Sequence, residues 1–160
     1  MATKPILVVS HSRTGSTARL RDAVLAGIAD ADAAGAGVDA VSRDVVDAGL
    51  DDILGASGVV FATPARFGAL AGLTKDLLER IYPWFDEVPD VRPGMPWTAI
   101  AKGASDPTGA VRDLERILTG LRWRQVLPPL VVTGDVLPEH LDAARELGAT
   151  LAAGVGSGMW

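Results

Sequence analysis

The chain has 160 residues, and one domain spanning 1–160 with a buried core is the expectation from that length. Apolar residues make up 48% and charged residues 22%, aromatics only 5%, with Ala and Gly abundant, a mix suited to tightly packed layers of helix on sheet. The net charge of −5 excludes a broad basic face for nucleic acid, and the lack of cysteine excludes disulfides, thiolate metal ligands and cysteine nucleophiles.

Met1-Ala2-Thr3-Lys4-Pro5 leads into Ile6-Leu7-Val8-Val9, a short continuous apolar run of the kind a parallel strand covered on both faces requires. This run is too short for a signal segment, and no apolar run approaches the roughly 20 residues of a membrane span, so a cytoplasmic protein is expected. Leu20, Val24 and Ile28 recur every fourth residue and predict one stripe of an amphipathic helix. After Gly35 and Gly37, residues 38–41 read as a shorter, weaker strand. Asp51-Asp52-Ile53-Leu54 predicts a short helix with acids near its positive end.

Val59-Val60-Phe61-Ala62 is the next buried strand, and Leu73, Leu77 and Ile81 carry the next helical stripe. The turn signal Arg92-Pro93-Gly94 precedes a fourth strand over 97–101. Val111, Leu114, Leu118 and Leu121 form another helical face. Residues 125–133 read as a fifth strand, Leu141, Ala144, Leu147 and Leu151 as the last helix, and 154–160 as a flexible tail. Strand and helix alternate throughout, which predicts an α/β fold in three layers: a parallel sheet with helices on both faces. Pro128-Pro129 would interrupt a ladder, which puts the fifth strand at an edge, and the weak second strand takes the other. The predicted sheet is therefore five-stranded, in the order 2-1-3-4-5.

In such a sheet ligands bind beyond the carboxyl ends of the strands, where strand order reverses. The loop after the first strand reads Ser10-His11-Ser12-Arg13-Thr14-Gly15-Ser16-Thr17 and opens into a helix. Hydroxyls around a glycine at a helix N-terminus suit a phosphate dianion. A helix cap is the ordinary alternative, but one Ser or Thr would satisfy it. Neither the Walker string nor the dinucleotide glycine pattern occurs, and a phosphatase of similar layout would need a cysteine. A phosphate held without nucleophile or metal apparatus points to a bound cofactor, and no catalytic or metal-binding residue is assigned.

The loop after the third strand reads Thr63-Pro64-Ala65-Arg66-Phe67-Gly68. Phe67 suits the side of a flat ring system or packing under the loop, and Arg66 an anionic group or solvent. The loop after the fourth strand reads Lys102-Gly103-Ala104-Ser105-Asp106-Pro107-Thr108-Gly109, in which Asp106-Pro107 predicts a helix cap and first helical position. His11 and His140 form neither a pair nor a metal spacing; His11 reads as structural or solvated, and His140 has no assigned role. Trp84, in an aromatic patch with Tyr82 and Phe85, reads as core or as a subunit contact.

Residues Ser12-Arg13-Thr14-Gly15-Ser16-Thr17 resemble the phosphate loop of flavodoxins, with its Thr-Gly-x-Thr core flanked by Ser and Thr. Residues 63–68 resemble the Thr-Pro-x-Arg-Phe-Gly loop of the tryptophan-repressor-binding-protein type of NAD(P)H:quinone oxidoreductase. The resemblance implies a flavodoxin-like fold with FMN as cofactor, its phosphate in the first loop and its ring at the second. It also implies NAD(P)H as electron donor, a quinone-like acceptor and a homo-oligomer that completes the pocket. The third loop departs from electron-carrying flavodoxins, since it has no aromatic to stack on the ring. Its contribution is expected from Lys102, Gly103, Ala104 and Ser105, with Lys102 either solvated, as most lysines are, or placing its cation beside the flavin or a nicotinamide phosphate. The alternatives are a one-electron carrier that docks on proteins, and an interaction module with weak or no FMN binding.

Overall fold

The computed structural model describes residues 2–83 and 93–160. Strand β1 (Lys4–Ser10) contains the first apolar run, and Ile6, Leu7, Val8 and Val9 are all buried. It pairs in parallel with β2 (Val38–Asp44) on one side and β3 (Gly58–Arg66) on the other. β3 pairs in parallel with β5 (Pro96–Gly103) and, beyond its buried part, antiparallel with the short β4 (Ala69–Leu70). β5 pairs in parallel with both β6 (Arg124–Gln125) and β7 (Leu130–Thr133).

The expected five strands in the order 2-1-3-4-5 are thus corrected to seven, on the path β2-β1-β3-β5-β6, with β4 attached to β3 and β7 to β5. Two local causes account for the difference. Pro128 and Pro129 have no amide hydrogen for a ladder, so the predicted strand over 125–133 breaks around them into β6 and β7. The chain after Arg66 reverses at Phe67 and Gly68 rather than entering a helix, which adds β4. β2 also runs three residues longer than predicted, because all of Val38–Asp44 is in register with β1, although most of its side chains are exposed.

Alternation along the strands assigns each side chain to one helical layer. Ile6, Val8, Val60, Ile100 and Val132 pack with Leu20, Val24 and Ile28 of α1 (Ser16–Ala33) and Ala144, Leu151 and Val155 of α5 (Pro138–Ser157). Leu7, Val9, Val59, Phe61, Trp97 and Ala99 pack on the opposite face. Their partners are Ile53 of α2 (Leu50–Gly55), Leu77 and Ile81 of α3 (Gly72–Ile81), and Leu114 and Leu118 of α4 (Thr108–Gly120). The predicted stripe on α3 loses Leu73, which is exposed; Thr74 takes the inward position and is buried. Trp84, Phe85 and Arg92 lie outside the described residues.

The predicted flexible tail is corrected as well. α5 continues to Ser157 with Gly154 and Val155 buried, and the Trp160 ring lies against Gly154. Lys4 Nζ donates to the carbonyls of Val155 (2.8 Å) and Gly156 (3.2 Å) in the last turn of the helix, where the Val155 carbonyl also accepts the Gly158 amide at 3.2 Å. Further up, α1 and α5 meet backbone to backbone. A Cβ on Gly27 would overlap the Arg145 carbonyl, and one on Gly148 would overlap that of Val24. Arg145 also grips Asp30 through two hydrogen bonds of 2.6 and 2.8 Å, which holds the Asp30 carboxyl below its ordinary range.

Gly27→Ala is expected to destabilise the protein by about 1–3 kcal/mol in urea unfolding, since the added methyl meets backbone that cannot swing aside. Gly120→Ala, with open space around it, is expected to be neutral or stabilising.

Candidate functional site

The parallel register brings three loop origins to one edge. Ser10 lies opposite Ala62, Ala62 opposite Ile100, and Ile100 opposite Leu130. The segments that follow β1, β3 and β5 therefore leave the sheet side by side.

In the first of them His11 donates its amide to the Ala62 carbonyl at 3.2 Å, extending the ladder by one bond. Ser12 Oγ then accepts the amides of Gly15 (3.2 Å) and Ala18 (3.1 Å). Ser12 thus caps α1 from six residues away, a structural task beyond the ligand role expected of it. Gly15, directly before the helix, sits at φ +94°, a conformation that glycine adopts without steric cost. Among the described residues, the amides of Arg13, Thr14, Ser16 and Thr17 take part in no turn or cap hydrogen bond. Thr17 is buried, Ser16 half-buried, and Arg13 and Thr14 exposed. Ser12 Oγ, accepting twice, keeps its own proton to donate. Free amides at the positive end of an 18-residue helix, ringed by hydroxyls, form a donor set that a phosphate matches.

Residues 63–66 and 102–103, expected as loop, instead continue β3 and β5, with Thr63 and Pro64 in register with Ala101 and Lys102. The buried Thr63 hydroxyl lies 2.9 Å from that of Thr74 and 3.0 Å from the Pro64 carbonyl. This hydrogen bond explains the inward Thr74 of α3. Ala65 and Arg66 pair with Leu70 and Ala69, leaving Phe67 and Gly68 as a two-residue hairpin turn. Their φ values are +51° and +71°, positive at both central positions as a type I′ turn demands. Phenylalanine is a costly choice at such a position. Its relative exposure of 109% shows that the ring packs under nothing, so the loop-packing alternative for Phe67 is removed. The Arg66 side chain forms no ion pair or hydrogen bond among the described residues, and the residue is half-buried.

The third segment folds back against the second. A Cβ on buried Gly103 would sit 3.5 Å from that of Ala65 and 2.9 Å from the Ser105 carbonyl oxygen. Ala104 and Ser105 are exposed and small. Asp106 accepts the Thr108 amide at 2.9 Å, and this bond holds its carboxyl below the ordinary range. α4 starts at Thr108, so Pro107 stands at the cap rather than at the first helical position. Lys102 is opposite Val132 in register, which places its side chain on the α1 and α5 side of the sheet. It forms no ion pair among the described residues.

Two contacts had no signal in the sequence. The Leu70 amide donates to Asp113 Oδ2 at 2.9 Å, across 43 residues, and Gly109 abuts the Gly68 carbonyl. A third was readable but missed: His140 Nδ1 accepts the Leu137 amide at 3.0 Å, a cap three residues into α5 beside Pro138. Among the described residues no cluster of His, Asp or Glu is arranged to hold a metal ion, and no helix is long and apolar enough to cross a membrane. A cavity of about 310 Å³ lies beside the hairpin, lined by Ala69, Leu70, Lys75, Asp113, Arg116 and Ile117.

No protein-family model matches the chain, and a search of curated proteins found no match. Solved structures do match. A WrbA-like flavodoxin from Agrobacterium tumefaciens is 18% identical with a TM-score of 0.78, covering 97% of this chain and 99% of that one. Two-electron reduced flavodoxin from Megasphaera elsdenii is 17% identical with a TM-score of 0.73, covering 92% and 98%. The Flv1 flavodiiron core from Synechocystis is 17% identical with a TM-score of 0.77; the match covers 98% of this chain but only 37% of that one. The fold is flavodoxin-like.

Ser12→Ala is expected to lower stability by about 1 kcal/mol in urea unfolding without added ligand, because two amides lose their acceptor. Ser16→Ala, which breaks no hydrogen bond of the described residues, is expected to stay within about 0.5 kcal/mol.

Proposed function

We propose that the chain binds FMN at the edge formed by these three loops and passes electrons from NAD(P)H to a quinone or similar acceptor. The observation that carries this reading is the turn over residues 12–17, whose unpaired amides surround a left-handed Gly15 at a helix N-terminus. Ser12, Arg13, Thr14, Gly15, Ser16 and Thr17 would hold the phosphate. Thr63, Pro64, Ala65, Arg66, Phe67 and Gly68 would flank the ring on one side, and Lys102, Gly103, Ala104 and Ser105 on the other.

When bound, FMN supplies the hydride and electron chemistry, so the protein needs to position it and tune its charge rather than provide an acid or base. Phe67 offers an apolar face already extended into solvent. Arg66 and Lys102, without ion-pair partners among the described residues, offer positive charge. The small exposed Ala104 and Ser105 leave room for a nicotinamide or a quinone where an aromatic would have closed it. A single domain over 1–160, a homo-oligomer and a cytoplasmic location belong to the same reading. A one-electron carrier is the second reading, favoured by the match that spans 98% of the Megasphaera elsdenii flavodoxin.

A visible spectrum of the purified protein with FMN, before and after anaerobic NADPH, separates the readings. Flavin absorption that NADPH alone bleaches is the expected result. A coloured protein that bleaches only with a separate reductase supports the carrier. A protein that stays colourless with FMN overturns both and leaves an interaction module. Phe67→Ala is expected to weaken FMN binding about tenfold, read by quenching of FMN fluorescence. Its stability without flavin is expected to change by less than about 0.5 kcal/mol, since the ring packs on nothing.

A further inference from the structure

We infer that α4, through Gly109 and Asp113, positions the Phe67-Gly68 turn against the cofactor ring; this rests on the FMN reading. β4 has only two residues, and a hairpin so short does not hold its own geometry in water. This one also keeps a phenylalanine at positive φ, a conformation that persists only where the surroundings impose it. α4 supplies that constraint at two points four residues apart, which puts both on the same helix face.

At the first point the backbone of Gly109 lies so close to the turn that a Cβ would overlap the Gly68 carbonyl oxygen and approach its carbon to 3.0 Å. At the second, the Asp113 carboxylate accepts the Leu70 amide at 2.9 Å, just past the turn. A charged acceptor makes this the stronger kind of amide hydrogen bond. Its other oxygen takes Arg116 Nη2 at 3.1 Å, a solvent-exposed contact, while Oδ2 alone holds the Leu70 amide. The incoming end of the hairpin is already fixed by Thr63 and Thr74. With Asp113 absent, the turn keeps one anchor before Phe67 and loses one after it, so Phe67 is free to leave φ +51°. Asp113 touches neither the phosphate loop nor the flanking Lys102 segment, and is a positioning residue.

The test compares Asp113→Ala, Asp113→Asn and Arg116→Ala with the wild type. It reads FMN affinity by fluorescence quenching and the visible band shape of the protein at saturating FMN. Asp113→Ala is expected to weaken FMN binding roughly tenfold and to alter the bound-flavin bands. Asp113→Asn keeps an oxygen for the Leu70 amide and is expected to stay within about threefold of wild type, with its bands restored. Arg116→Ala is expected to leave both readouts unchanged. Should Asp113→Ala fail to fold, Gly109→Ala takes its place, because the added methyl displaces Gly68; weakened binding with altered bands again supports the inference. Wild-type affinity and band shape in whichever of the two variants folds overturn it. No flavin binding by the wild type overturns the functional reading, and this inference with it.

Discussion

Hydrogen bonding among β1, β3 and β5 fixes where every part of the candidate site begins. Each of these strands has a parallel neighbour on either side, so none can slip without breaking two ladders. Their central residues are buried on both faces, which is why the strands read as continuous apolar runs and why helices must cover both sides. Since the strands are parallel, their carboxyl ends share one edge. Ser10, Ala62 and Ile100 lie next to one another toward that edge; the first loop starts from Ser10, while β3 and β5 run on to Arg66 and Gly103 before theirs begin.

Stability and site chemistry are separated along the strands. The α1 and α5 pair meets through Gly27 and Gly148, and Lys4 closes the end of α5, all without involving the loops. At the carboxyl edge the chain instead leaves amides unpaired and holds Phe67 extended on a strained turn. The strained turn costs free energy in the unliganded chain, and the two features suit a bound anion and an apolar ring. Ser12 and Asp113 shape the loops themselves: Ser12 accepts two backbone amides in the first, and Asp113 accepts one just past the Phe67-Gly68 turn.

The legible parts of the fold were those carried by local pattern. The run Ile6-Leu7-Val8-Val9 and the stripe Leu20, Val24 and Ile28 are buried as read, because strand and helix periodicity set which side chains share a face. Leu73 misled the reading because its position in the first turn of α3 looks inward by spacing, whereas Thr74 is drawn in by Thr63 from another element. The tail misled it because glycines that suggest flexibility also permit close packing, and Trp160 exploits that at Gly154. Pro128-Pro129 correctly signalled an interrupted ladder but not its division into two strands, each paired to β5.

By itself, the sequence determined the alternation of strand and helix, the two-sided core and the two loops whose residue types suit a phosphate and a ring. These follow from hydrophobic period, turn chemistry and helix-end electrostatics, all of which act over a few residues. Tertiary structure decided the seven-strand arrangement, the capping of α1 by Ser12, the exposure of Phe67 and the grip of Gly109 and Asp113 on its turn. Most of these depend on groups brought together from distant parts of the chain, such as the Leu70 amide and the Asp113 carboxylate. Such contacts exist only after the sheet has closed, so no local pattern records them.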